Sequence, residues 1–356
     1  MFLAIEEMKQ NKLRYGLILG LLVLVAYLVF FLTGLAYGLM QQNRAAVDKW
    51  QADTIFLSTE ANKLLAPSIM DEALVDQVKA EEKASLFFRS GVVWAENKQV
   101  SDENKERVAV FGVDASTFLM PSIIEGRGFE KENEAVVALE LLEELGLSIG
   151  DQLALGESEE ELTIVGTTDR AAYGVAPVVY LSQSTFKTIY QKGQPINQAS
   201  AIVVRGEVTS YPEDSLEQLD IAAFIDKLPG YTAQNLTFAF MIGFLVVIAA
   251  VVIGIFIFVL TTQKAAIFGL MKIQGLSTPY IASSVLGQTL VLAGLGTVIG
   301  LGLTLLSSLV LPSAVPFEHN WLFYSGISGG LILFALLGAL FSVGAIVKVD
   351  PLEHIG

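Results

Sequence analysis

Charged residues are missing from four long stretches of this chain, and that pattern constrains the fold more than any motif does. No Asp, Glu, Lys or Arg lies between Arg14 and Arg44, Lys227 and Lys264, Lys272 and Glu318, or Glu318 and Lys348. Each stretch exceeds the roughly 20 apolar residues that cross a ~30 Å hydrocarbon core as a helix. Backbone amides in lipid must find partners within the chain, so such segments cross as helices. The expected fold is an integral membrane protein: four transmembrane helices with a large α+β domain inserted between helices 1 and 2. Read from the residues, the boundaries are an amphipathic helix at 1–14 and spans at 15–42, 236–262, 279–311 and 322–347. The inserted domain, with its stalk ends, takes 43–235; loops take 263–278 and 312–321, and a tail takes 348–356.

The inserted block carries the acidity. From Gly38 to Asn235 there are 32 acidic and 16 basic residues, and the rest of the chain has 5 and 6, which together give the net charge of −15. Such a domain suits neither nucleic acid nor flat docking on anionic lipid; a solvated, soluble surface is the plain reading. Lys9, Lys12 and Arg14 precede span one, Lys264 and Lys272 separate spans two and three, and Lys348 follows span four. The positive-inside rule then places both termini and the 261–278 loop in the cytoplasm and residues 43–235 outside, in a multi-pass protein of the plasma membrane. The apolar run of span one is longer than the roughly 7–15 residues of a signal-peptide core, so it reads as a retained anchor. With no cysteine, the outer domain is expected to be held by its own core.

That domain alternates short β-branched and aromatic runs with helical patterns. Strands are expected at 53–57, 86–95, 107–113, 135–139, 162–165, 178–181 and 201–204. Helices are expected at 71–83, 140–146, 182–191 and 215–228, the last ending at Pro229-Gly230. In the membrane, Thr278 reads as an N-cap with Pro279 at the first helical position. Gly16/Gly20, Gly34/Gly38 and Gly296/Gly300 have the spacing that lets helices approach closely.

Several chemistries are absent. No Gly-x-x-x-x-Gly-Lys-Ser/Thr loop is present to cradle nucleotide phosphates. The two histidines, His319 and His354, fall on opposite sides of the membrane in this topology, so no metal cluster is expected. No span carries an ionisable residue that would mark an ion relay. Energy must come from a partner.

The order of elements, together with EGRGFEKENEAVV (125–137), LGLSIGDQLAL (145–155), ELTIVGTTD (161–169) and VKVDPLEHIG (347–356), resembles the MacB/FtsX-type permease subunits of ABC transporters over essentially the whole chain. Gly126, Gly128 and Gly150 fall where turns need a permissive backbone. Within that family, GYTAQNLTF (230–238) and QKAAIFGLMKIQG (263–275) are most similar to the haem-exporting permeases of the Hrt type from Gram-positive bacteria. The resemblance implies a transport subunit without its own ATPase site or cofactor. A cytoplasmic ABC ATPase would bind ATP and Mg, and two permeases would pair with two ATPases. Movement would pass along spans one and two to the outer domains by mechanotransmission, and haem would be the cargo. A glycolipid, antimicrobial peptide or lipoprotein exporter, and a non-transporting FtsX-like signal transmitter, share the architecture.

The resemblance also places the ATPase-coupling residues at Gln263, Lys264, Ile267, Phe268, Gly269, Met271, Lys272 and Gly275; a short helix resting on lipid headgroups is the other reading. A flat apolar ring needs aromatic walls and an O, N or S ligand. Tyr37, Met40, Tyr231, Asn235, Phe238, Phe240 and Met241 at the outer ends of spans one and two could supply them, with Tyr173 further off and His319 a weaker iron ligand. An interfacial aromatic belt would use the same residue types.

Overall fold

The computed structural model describes residues 12–96, 104–156, 158, 161–190, 198–312 and 315–347. Most of the amphipathic helix expected at 1–14, and the 348–356 tail, lie outside these. The chain divides into two units, with boundaries at Gly38 and Leu236.

The membrane unit is built on helices Lys12–Gln42, Tyr231–Thr262, Thr278–Ser308 and Trp321–Val347, here spans one to four. Span three has 31 residues, or about 46 Å at 1.5 Å each, more than the hydrocarbon thickness. It begins one residue earlier than expected, with Ser277 at the N-cap, and it stops at Ser308 instead of Leu311. Apolar side chains gain little by leaving lipid for one another, so contact depends on close approach. At Gly296 an added Cβ would lie 2.8 Å from Leu22 Cβ, and at Gly300 it would lie 2.8 Å from Ala26 Cβ. These two glycines seat span three on span one. Gly338 meets the backbone of Gly254 in the same way, joining spans four and two. Gly34 and Gly38 instead accommodate Phe317 and Pro316 of the loop before span four, whereas Gly16 and Gly20 have open space beside them. Among the described residues, the first two spacings thus mark no helix crossing.

The inserted unit is a mixed sheet of eleven strands among the described residues. Its main path runs Leu216–Asp220, Thr54–Ser58, Ala201–Ser210, Lys79–Ala95, Lys105–Val113, Ala176–Ser182, Glu134–Ala138, Leu162–Thr168 and Glu125–Gly126. Two pairings on it are parallel, Ala176–Ser182 with Lys105–Val113 and Glu134–Ala138 with Leu162–Thr168. The core gathers Trp50, Phe56, Phe87, Phe111, Tyr180 and Phe224, all fully buried.

Two expected helices are corrected. Of 71–83 only Leu74–Gln77 is helical, and from Lys79 the chain is a strand with Ala80 opposite Val208 and Glu82 opposite Arg205. Of 215–228, Leu216–Asp220 pairs with Thr54–Ser58, leaving helix Ile221–Ile225. In both, a free strand edge recruits residues whose local preference is helical. Gly126 and Gly150 have φ of +79° and +100°, but Gly128 does not enter the left-handed region.

Candidate functional site

Between spans two and three the chain forms a helix, Ala265–Ile273. Its end is a Schellman motif: Gly275 at φ +90° donates to the Lys272 carbonyl at 3.0 Å, and the Leu276 N–H donates to the Met271 carbonyl at 3.0 Å. Gly275 therefore terminates the helix, while Gly269 has open space around it. The helix has two faces. Phe268, 6% exposed, enters the core of the membrane unit with Met271 packed against that core. Ile267, Leu270 and Ile273, three apart and 51%, 60% and 58% exposed, form an apolar stripe on the other side. Of the residues expected to couple to an ATPase, Phe268 anchors the helix and Ile267 presents; Leu270 and Ile273 join it.

Lys264, expected among the ATPase-coupling residues, is buried. Lys264 is 5% exposed, and its Nζ donates to the Tyr15 hydroxyl of span one and, at 3.0 Å, to Gln288 Oε1 of span three. The ammonium also lies 5.1 Å from the centre of the Tyr15 ring. Desolvating a cation is costly unless dipoles replace its water, and these contacts fasten the start of the short helix to two spans. Gln263 accepts from the Arg14 guanidinium of span one, and Lys272 is half-buried.

At the other end of the membrane unit lies an aromatic network. Tyr37 meets Phe323 edge-on at 5.6 Å, Phe30 meets Tyr324 at 5.5 Å, and Phe31 lies 5.5 Å from Phe317. His319 shares a hydrogen bond at each ring nitrogen, with Ser308 Oγ at 3.2 Å and the Tyr324 hydroxyl at 3.3 Å. It is thus engaged as a loop fastener rather than presented as an open iron ligand. On span two Phe238 is half-buried, whereas Phe240, Met241 and Phe244 are 59%, 40% and 66% exposed.

Within the inserted unit, Tyr173 is a core residue, 5.2 Å from the Phe88 ring and 5.7 Å from Phe111, and burial pushes its phenol up. Tyr231 is buried in the same core. Neither offers a ring face to a ligand. Asp48 and then Tyr231 hold the Arg44 guanidinium well above its ordinary pKa. Asn43 Nδ2 donates to Gln234 Oε1, and the Asn43 carbonyl accepts from the Gly174 N–H at 2.8 Å. The first and last residues of the inserted domain therefore clasp each other, an arrangement for which the sequence carries no signal. Met40 and Asn235 are half-buried, and Asn235 Oδ1 is a buried acceptor with no donor among the described residues.

Family models match almost end to end: the MacB-like periplasmic core domain over residues 16–220 and the FtsX-like permease C-terminal region over 239–351. A putative hemin transport system permease protein of Staphylococcus haemolyticus is 24% identical, with 100% of this chain and 99% of that protein covered. An uncharacterised ABC transporter permease of Mycobacterium tuberculosis is also 24% identical, with the same coverage of both chains. The extracellular domain of the noncanonical ABC-type transporter YknZ from Gram-positive bacteria aligns with a TM-score of 0.31 at 15% identity, over 44% of this chain and 83% of that one.

Proposed function

Because the chain belongs to the MacB/FtsX family of ABC transporter permeases, we propose that it is the membrane subunit of a haem exporter driven by mechanotransmission. A cytoplasmic ATPase docks on the stripe of Ile267, Leu270 and Ile273, exposed where an apolar partner can cover it. Displacement of the short helix passes through Lys264 to spans one and three, because Tyr15 and Gln288 hold that lysine directly. On the outer side, the bond of Asn43 to Gln234 makes the two ends of the extracellular domain respond together. Two permeases pair with two ATPases, and both termini are cytoplasmic, as the flanking lysines and Arg14 imply.

The haem reading is carried by the end-to-end match to hemin permease relatives. The exposed Phe240, Met241 and Phe244 support it by offering a strip on which a planar ring can stack, with a thioether able to approach iron. Burying an apolar ring on such a strip is worth several kcal/mol at ~25 cal/mol/Å².

Titrating the purified permease–ATPase complex with haemin is expected to give a Soret band that weakens in Phe240→Ala/Met241→Ala/Phe244→Ala. A cell lacking the gene is expected to be sensitive to haemin and not to antimicrobial peptides. No Soret band, or the reverse sensitivity, sinks haem as the cargo. The Ile267→Asp/Leu270→Asp variant is expected to lose stimulation of the ATPase, because a charge in an apolar docking cleft costs several kcal/mol. Undiminished stimulation removes the stripe from the docking surface.

A further inference from the structure

Spans one and two leave a groove of about 530 Å³ open along their sides, at the ends where Lys12 and Gln263 lie. Its wall is apolar and exposed: Leu17 is 70%, Phe256 40% and Val259 44% accessible. Its rim is basic, with Lys12 and Arg14, and among the described residues no carboxylate lines it. Among the described residues neither cation pairs with an acid; Arg14 is oriented by its bond to Gln263 Oε1, which occupies one N–H of a five-donor fork. Along span one the wall from Lys12 to Leu17 rises about 8 Å, enough for a headgroup and the first part of a chain.

We propose that this groove is a binding site for one anionic phospholipid, with its phosphate on Lys12 and Arg14 and an acyl chain against Leu17, Phe256 and Val259. The inference needs only the two spanning helices and is independent of the cargo. Charge complementarity selects the occupant. A planar fork with free N–H groups matches phosphate oxygens, and a wall facing hydrocarbon matches an acyl chain. A second copy related by a two-fold axis would bring its own basic rim against this one, which places cation on cation. A bound lipid would wedge the two spans apart at the ends where Lys12 and Gln263 lie, so its presence would bear on how far they can close.

Native mass spectrometry of the full-length permease, released from membranes containing phosphatidylglycerol and phosphatidylcholine in equal amounts, tests this. Retention of one phosphatidylglycerol per chain is expected, preferred about tenfold, because phosphatidylcholine offers the same phosphate but brings a choline cation against the basic rim. Lys12→Gln/Arg14→Gln is expected to abolish the preference. Val259→Trp, which fills the groove and leaves both charges, is expected to remove the retained lipid as well. Excess inorganic phosphate is expected to leave the lipid in place, since it brings no chain for the wall. Equal retention of the two lipids, or a preference that persists in both variants, overturns the site. Displacement by inorganic phosphate alone overturns the lipid assignment, and a preference seen only after removal of residues 1–11 shows that those residues fill the groove.

Discussion

In the extracellular unit the rings of Trp50, Phe111, Tyr180 and Phe224 lie inside, and Arg44 and Asp48 pair at the surface. In the membrane unit Phe240, Phe244 and Phe341 face outward, and a lysine lies inside. The inversion follows from the solvent. Water drives apolar area inward at ~25 cal/mol/Å², so the outer domain can be held by a broad aromatic core with no disulfide. Lipid tails exert no such drive, so the spans rely on near contact at glycine and on polar groups that find partners only in the interior. The residues that matter are therefore of opposite kinds: large and aromatic in one unit, small or polar in the other.

The sharpest way to break that contrast is to remove a ring from each unit. Phe111→Ala is expected to destabilise the outer domain by ~3–5 kcal/mol, because Phe111 is fully buried among Trp50, Phe88, Tyr173 and Tyr180. Phe341→Ala, at a residue 78% exposed on span four, is expected to leave thermal unfolding in detergent almost unchanged. Equal losses in the two variants would mean that the spans bury aromatic area as a soluble core does.

A smaller effect is expected from adding bulk in the membrane. Gly300→Leu places a side chain where Ala26 Cβ and Tyr27 N lie 2.8 and 2.9 Å from the new Cβ, and the backbone of span one cannot yield as a side chain can. A cost of ~1–3 kcal/mol is expected, read as loss of a disulfide crosslink between cysteines placed on spans one and three. Gly302→Leu, with open space at its position, serves as the matched control and is expected to retain the crosslink.

The third expectation concerns charge in the outer domain alone. Glu134 accepts from Arg127 at 2.5 and 2.8 Å and from the backbone N–H of Glu130 and Lys131 at 2.8 and 3.1 Å. The Arg127 bond is the main cause that lowers its carboxyl from 4.5 to about 2. A depressed acid contributes stability fully above its unfolded value and loses it as pH falls through the folded one. The advantage of the native chain over Glu134→Gln in thermal unfolding is therefore expected at neutral pH and should shrink from pH 4.5 towards 2. A constant difference across that window would assign the effect to packing.

Much of the plan was legible because it rests on costs that a sequence cannot hide. A charge in the bilayer is expensive wherever it falls, so the gaps between Arg14 and Arg44 and between Lys227 and Lys264 mark spans without any knowledge of packing. The β-branched runs at 107–113 and 201–204 were visible and lie within strands Lys105–Val113 and Ala201–Ser210, but the pairing that turns Lys79–Lys83 and Leu216–Asp220 into strands was not. Long-range hydrogen bonds made that choice against local preference.

In the candidate sites the sequence pointed to segments, and the tertiary structure decided which side chains in them are buried and which are exposed. Residues 263–275 were recognisable as a connection between spans, yet nothing in their order says that Phe268 and Lys264 point inward while Ile267, Leu270 and Ile273 point away. In water, hydrophobicity tells a helix which face to bury. Beside lipid both faces are apolar and that signal is lost, so orientation is set by shape and by polar partners such as Tyr15 and Gln288, which lie 249 and 24 residues from Lys264. The same reason applies to the aromatic ends of the spans. Their composition follows from the membrane interface, but only packing separates Tyr37, seated on Phe323, from Phe240 and Met241, which remain exposed.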